Sequence, residues 1–218
     1  MTSPPANRAR GRWPSLLLSA AVALPGAAAR AEGTTAPTAA PTTAQARFAR
    51  RAALFIEQFT RLIEWPERAL PKGSPFVLCT SGASETAEEL TKLAAIRKFR
   101  QRPTEVRRLA ADADPDGCHV LYLAASAASR VQQLLTAVAD KPVLTVSDTA
   151  GFAARGVHFN FFEETRLVPE PGTYLGFELS VPAVRRSVLT FDPRLLSSGR
   201  RVDAAPAPDP SRSRARGH

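Results

Sequence analysis

The stretch KPVLTVSDTAGFAARGVHFNFF, residues 141–162, constrains the fold more than any other part of the chain. Pro142-Val143-Leu144-Thr145-Val146 is a short, β-branched apolar run with proline before it and Ser-Asp-Thr after it, the pattern of a buried strand. A loop carrying Gly151 and Gly156 follows, with Phe152 placed to fold its ring back under the loop. Val157 to Phe162 is aromatic-rich and strand-like again. Two such strands joined through a Ser-Asp/Gly connection, with an Ala-rich helical segment just upstream, predict a packed α/β sheet.

The rest of the chain extends that pattern. Phe48, Ala52, Phe55, Ile56, Phe59, Leu62 and Ile63 form one apolar stripe on a helix over Arg47 to Ile63, ended near Trp65 by Pro66. Core packing is one reading of the stripe, and a partner surface is the other. A strand over Pro75–Thr80 is followed by a helix from Ser84 to Phe99, with Ser84 as its cap and Arg97 and Lys98 in its last turn. Strands over Thr104–Leu109 and Cys118–Leu123 follow, then a helix over Ala127–Ala139. After Phe162 come Glu163-Glu164, a proline-marked bend, a last strand over Tyr174–Leu179 and a short helix over Val181–Val188. Alternating strands and helices predict a single α/β domain, a mostly parallel sheet flanked by helices in three layers. Its expected limits are residues 45–203.

Both termini fall outside that domain. Arg8, Arg10 and Arg12, the apolar run Leu16–Leu24 and Ala29-Arg30-Ala31 have the layout of a secretory signal over residues 1–31, an uncleaved anchor being the alternative. Residues 32–44 are Thr, Ala and Pro and read as a flexible linker, and residues 204–218 as a disordered basic tail. The chain carries 29 basic and 20 acidic residues; removal of residues 1–31 takes away four Arg and no acid, leaving 25 − 20 = +5. That balance, without an aromatic-plus-basic motif, gives no support for nucleic-acid binding. Cys79 and Cys118 are the only cysteines, and in an oxidising compartment such a pair favours a disulfide over two buried thiols. Cys79 lies late in its strand and Cys118 early in another, so neighbouring parallel strands need a stagger to join them.

Catalytic motifs are absent from the sequence: it holds no phosphate-cradling glycine pattern, H-E-x-x-H, C-x-x-C or G-x-S-x-G. Asp112, Asp114 and Asp116 lack the glutamate that a calcium loop requires, and read as a solvated turn. No metal or cofactor is expected. His119 and His158 lie in strand-like runs, where a hydrogen-bonded sheet residue is the ordinary role. Ser147, Asp148 and His158 are the members of a hydrolase triad that the sequence only weakly suggests. Ser147 and Asp148 are also candidates for a small-ligand crevice at the carboxyl ends of the strands.

The ordered pieces Ala52–Phe55, Phe59–Pro66, Pro75–Cys79, Cys118–Leu123, Pro142–Asp148, Gly151-Phe152, Asn160-Phe161, Gly176–Leu179, Val184–Arg186 and Leu195-Leu196 together resemble the YfiR family of exported bacterial proteins. The resemblance spans Arg51 to Leu196 and implies regulation rather than turnover. The family's best-understood members are periplasmic repressors of an inner-membrane diguanylate cyclase. They bind its periplasmic sensor domain, lower cyclic di-GMP and restrain biofilm formation. An outer-membrane lipoprotein can sequester the repressor, and self-association through a helical face, as in a homodimer, is another implied property. This chain has Ala153 and Asn160 where some relatives carry a second cysteine pair, and a proline-rich segment over Thr165–Thr173. Phe59, Leu62, Trp65 and Arg68 are the candidate partner contacts, because exposed aromatics and Arg are favoured anchors. Trp65 plugging the sheet edge is the alternative. Substituting Trp65 or Arg68 is expected to relieve repression with the fold intact.

Overall fold

A computed structural model of the chain describes residues 42–166 and 172–203. The expected signal, nearly all of the linker and the tail lie outside these residues. The first helix, α1 (Thr43–Arg61), begins inside the expected linker because its cap is complete. The Thr42 hydroxyl accepts from the Gln45 amide at 3.2 Å, and the Gln45 side chain accepts from the Thr42 amide at 3.0 Å. The helix stops one turn before Pro66. A two-residue strand, β1 (Ile63–Glu64), takes over and pairs antiparallel with β8 (Thr190–Phe191).

The main sheet has seven strands: β2 (Phe76–Ser81), β3 (Thr104–Leu109), β4 (Val120–Leu123), β5 (Leu144–Ser147), β6 (Phe159–Arg166), β7 (Gly172–Ser180) and β9 (Arg200–Val202). Their order is β3-β2-β4-β5-β6-β7-β9. Every neighbouring pair is parallel except β6 with β7, which form an antiparallel hairpin from Phe159↔Leu179 out to Arg166↔Gly172. The α/β expectation holds, with β6 running on through Glu163-Glu164 to Arg166 and β7 starting at Gly172, ahead of the expected Tyr174.

Alternation along the strands sends side chains to two faces. Phe76, Leu78, Tyr122, Val146, Phe159, Phe161 and Phe177 meet α1 and the helix α2 (Glu85–Ile96) on one face. Cys79, Leu121, Leu123 and Val143 meet α3 (Val131–Ala137) and the ring of Phe152 on the other, making three layers. The helix expected over Ala127–Ala139 is split, a 3-10 turn at Ala125–Ala127 preceding α3. Helix α2 ends at Ile96, where Arg97 turns extended, so the two basic residues expected in its last turn lie beyond it. The short helices α4 (Val181–Arg186) and α5 (Pro193–Ser198) follow β7. The second of these was not foreseen; Asp192 caps it, accepting from the Arg194 amide at 2.8 Å.

Cys79 and Cys118 are joined, with their Cα atoms 5.8 Å apart. The ladder sets Cys79 opposite Leu121, three residues beyond Cys118. The stagger is absorbed because Cys118 stands outside the ladder, in the turn where its amide donates to the Pro115 carbonyl. The bond closes a span of 39 residues and crosses from the start of β4 to the middle of β2. On the loop-entropy scale, replacing either cysteine by Ser costs roughly 4 kcal/mol. Denaturant unfolding of Cys118→Ser against the oxidised chain is expected to show a loss of that order, and the same loss for the wild type under a strong reductant.

Candidate functional site

Glycine at position 82 closes the carboxyl ends of β2 and β4. Its φ is +83°, and a Cβ there would stand 2.5 Å from the Ser126 hydroxyl. That hydroxyl accepts from the Ala83 amide at 2.9 Å and lies 3.0 Å from the Ala83 carbonyl, tying the loop before α2 to the loop after β4. Beside this tie, Tyr122 is fully buried and its hydroxyl donates to Asp148 at 2.7 Å. Thr86 donates to the other oxygen of Asp148 at 2.6 Å, and the Ser84 hydroxyl is 2.8 Å from the Tyr122 hydroxyl. Burial and the neighbouring Asp148 carboxylate push the Tyr122 phenol well above its ordinary pKa. The group is a strut that pins α2 to β4 and β5.

Ser147 and Asp148 are both engaged in hydrogen bonds within the fold. Ser147 is buried, donates to the Leu123 carbonyl at 2.7 Å and accepts from the Thr149 amide at 3.0 Å. The triad does not assemble, because His158 engages a third residue. Its Nδ1 accepts from the Thr145 amide at 3.2 Å and lies 2.7 Å from the Thr145 hydroxyl, which itself accepts from the His158 amide at 2.9 Å. Burial, with the Arg186 guanidinium nearby, lowers the His158 pKa to about 4. His119 is likewise structural: Nδ1 accepts from the Val77 amide at 2.8 Å, and Nε2 donates to the Ala69 carbonyl at 3.0 Å. Asp114 and Asp116 both face Lys141, at 3.7 and 3.2 Å.

The partner candidates divide by burial. Phe59 packs among Phe159, Phe161 and Phe177 with ring centroids 5.4, 5.3 and 4.8 Å away. Trp65 packs edge-on to Phe76 under the Arg100 guanidinium. Both rings are buried, so the expectation that they stand out as surface anchors is corrected, and Trp65 is a plug. Removing such a ring costs about 3–5 kcal/mol, so its substitution probes the core rather than a surface contact. Leu62 is half-buried and Arg68 is exposed.

One apolar side chain on the same side of the domain went unnoticed in the sequence. Ile96, at the end of α2, is 81 % exposed. It falls outside the buried stripe of Thr86, Ala87, Leu90, Leu93 and Ala94, and this break in periodicity was the available signal. Around it, Arg61 and Arg97 share the buried carboxylate of Glu57 at 2.6 and 3.9 Å, leaving an excess positive charge. Arg100 donates to the carbonyls of Thr60 and Ile63 at 2.5 and 2.6 Å, locking the segment after α2 to the end of α1. The result is an apolar point in a rim of net positive charge that also carries the exposed Glu64 carboxylate beside Arg100, a surface suited to an acidic protein partner.

The YfiR/HmsC-like family, DUF4154, matches residues 49–200. The chain belongs to this family. A comparison with the curated proteins found no match. The matched region of this YfiR-like chain runs from the first turns of α1 to the start of β9, and so contains the cationic rim, the disulfide and His158. Among the described residues no helix is long and apolar enough to cross a membrane.

The buried imidazole gives the YfiR-like domain a signed pH response. The folded state holds His158 neutral with a pKa near 4, whereas the unfolded chain titrates near 6.5. Between those values the unfolded state binds more protons, so stability is complete above the unfolded pKa and falls as pH drops towards the folded one. Between pH 7 and pH 5 this group alone accounts for about 2 kcal/mol. Denaturant titrations are expected to show that His158→Gln flattens this slope relative to wild type; an unchanged slope contradicts the assignment.

Proposed function

We propose that this YfiR-like domain is an exported, periplasmic regulatory binding protein that represses an inner-membrane diguanylate cyclase by binding the cyclase's periplasmic sensor domain. Repression lowers cyclic di-GMP and restrains biofilm formation. The family match over residues 49–200 carries the proposal. The internal commitments of Ser147, Asp148 and His158 are in keeping with it, since each would-be reactive group already serves the fold. An outer-membrane lipoprotein that sequesters the domain, and a homodimer through a helical face, belong to the same proposal.

The mechanism requires no broken bond. A repressor that binds the inactive form of the cyclase 100-fold better than the active form shifts that equilibrium by about 2.7 kcal/mol, its differential affinity. We assign the contact to the surface formed by Ile96, Arg97, Arg61 and Leu62, with Arg68 at its margin. Ile96 would enter an apolar recess and the guanidiniums would meet carboxylates around it. Exposed apolar surface is the costly feature here, and covering it is the source of affinity.

Pull-down of the cyclase's periplasmic domain from solubilised membranes tests the assignment. The double variant Ile96→Asp, Arg97→Glu is expected to lose at least tenfold in affinity and to raise cellular cyclic di-GMP, with its melting temperature within about 2 °C of wild type, as for other surface changes. Arg68→Glu is expected to give a smaller loss. Retention of full affinity by the folded double variant removes the surface. Failure of wild type to bind any diguanylate cyclase removes the function.

A further inference from the structure

A second feature lies on the opposite face of the sheet. A crevice of about 150 Å³ opens between α3 and α4, at the amino ends of β5 and β6. Leu135, Val138 and Ala183 supply apolar wall, and Thr145 and His158 belong to the floor. Arg155 and Arg186 are its charged lining residues, and no carboxylate lines it. Arg155 is held in place, donating to the Ala128 carbonyl at 3.0 Å with its guanidinium 5.1 Å above the Phe152 ring. Neither arginine has an acidic partner among the described ion pairs.

The floor carries an unused donor. With Nδ1 of His158 accepting from Thr145, the ring hydrogen resides on Nε2, which has no acceptor among the described residues. That donor is free for a ligand, and two guanidiniums without a carboxylate set up an unbalanced positive potential in a half-closed, partly apolar space. An anion answers both conditions. The volume suits a ligand of a few non-hydrogen atoms.

We propose that this crevice binds a small organic carboxylate with a short apolar tail. The carboxylate sits between Arg186 and Arg155 and accepts from Nε2 of His158, and the tail lies against Leu135, Val138 and Ala183. The site differs from the surface assigned to the cyclase, so the proposal stands or falls without it. It also places the ligand at the opposite ends of the strands from Ser147 and Asp148. A seated carboxylate opposes the two effects that hold His158 neutral, because a negative charge beside the ring favours the imidazolium.

The test uses the full chain, with isovalerate, acetate and inorganic phosphate as probes at constant ionic strength in calorimetric titrations. The histidine resonances are followed by NMR across pH with and without isovalerate. Isovalerate is expected to bind saturably and more tightly than acetate. Arg186→Gln, an exposed change that leaves the fold standing, is expected to weaken binding at least tenfold, and the His158 midpoint is expected to rise when isovalerate is present. An absence of saturable isovalerate binding, an unchanged affinity in Arg186→Gln or an unmoved His158 midpoint each overturns the site. Tighter binding of phosphate than of isovalerate overturns the organic-carboxylate class.

Discussion

The docking of Phe59 into the aromatic face of the sheet is the contact on which the rest of the structure depends. Its ring meets Phe159, Phe161 and Phe177, from two strands that are themselves an antiparallel pair. The edge-to-face pairs with Phe159 and Phe177 add about 0.5–1.5 kcal/mol each beyond the area they bury. With Phe59 seated, α1 is fixed along its length, and Glu57 is held where Arg61 and Arg97 converge on it. The exposed Ile96 and its cationic rim owe their position to that helix. Surface and core are one construction here: the side chains that face outward are aimed by those that face inward.

The two faces of the sheet have different characters. On the α1–α2 face, polar groups are consumed by struts such as Tyr122–Asp148–Thr86, and Ile96 is left exposed at the surface. On the α3 face, the sheet carries Thr145, Ser147, His158 and Asn160 under only a short helix, and a crevice remains. A domain built this way can carry a protein contact on one side and a small-anion contact on the other. Any coupling between them is reciprocal, each occupant changing the other's affinity by the same factor.

The strands were legible in the sequence because their β-branched and aromatic runs lie between proline and glycine punctuation. Pro142–Val146, Pro75–Thr80 and Thr104–Leu109 all emerged as strands within a few residues of their read positions. The β6–β7 hairpin was read short because Glu163, Glu164 and Arg166 look like loop residues, while cross-strand pairing with Leu175, Tyr174 and Gly172 keeps them in the ladder. Strand β9 escaped because Arg200-Arg201-Val202 carries no apolar run, and its place is set by pairing with β7. The candidate contacts were half legible. Arg68 is exposed, but an aromatic on a helical stripe gives the same signal whether it faces a partner or the sheet, and Phe59 and Trp65 face inward. Ile96 was discoverable only as a break in the α2 periodicity. The crevice depends on residues from four separate segments and has no local signature.

The central claim is that this domain acts by occupying a partner through the end of α1 and the segment that closes α2. Hydrogen–deuterium exchange on the complex with the cyclase's periplasmic domain tests it most directly, because it maps the covered backbone without altering a residue. The result predicted is slowed exchange confined to residues 57–64 and 94–101, with β3 and the β6–β7 hairpin unchanged. Protection that spares both segments and falls on another face would contradict it.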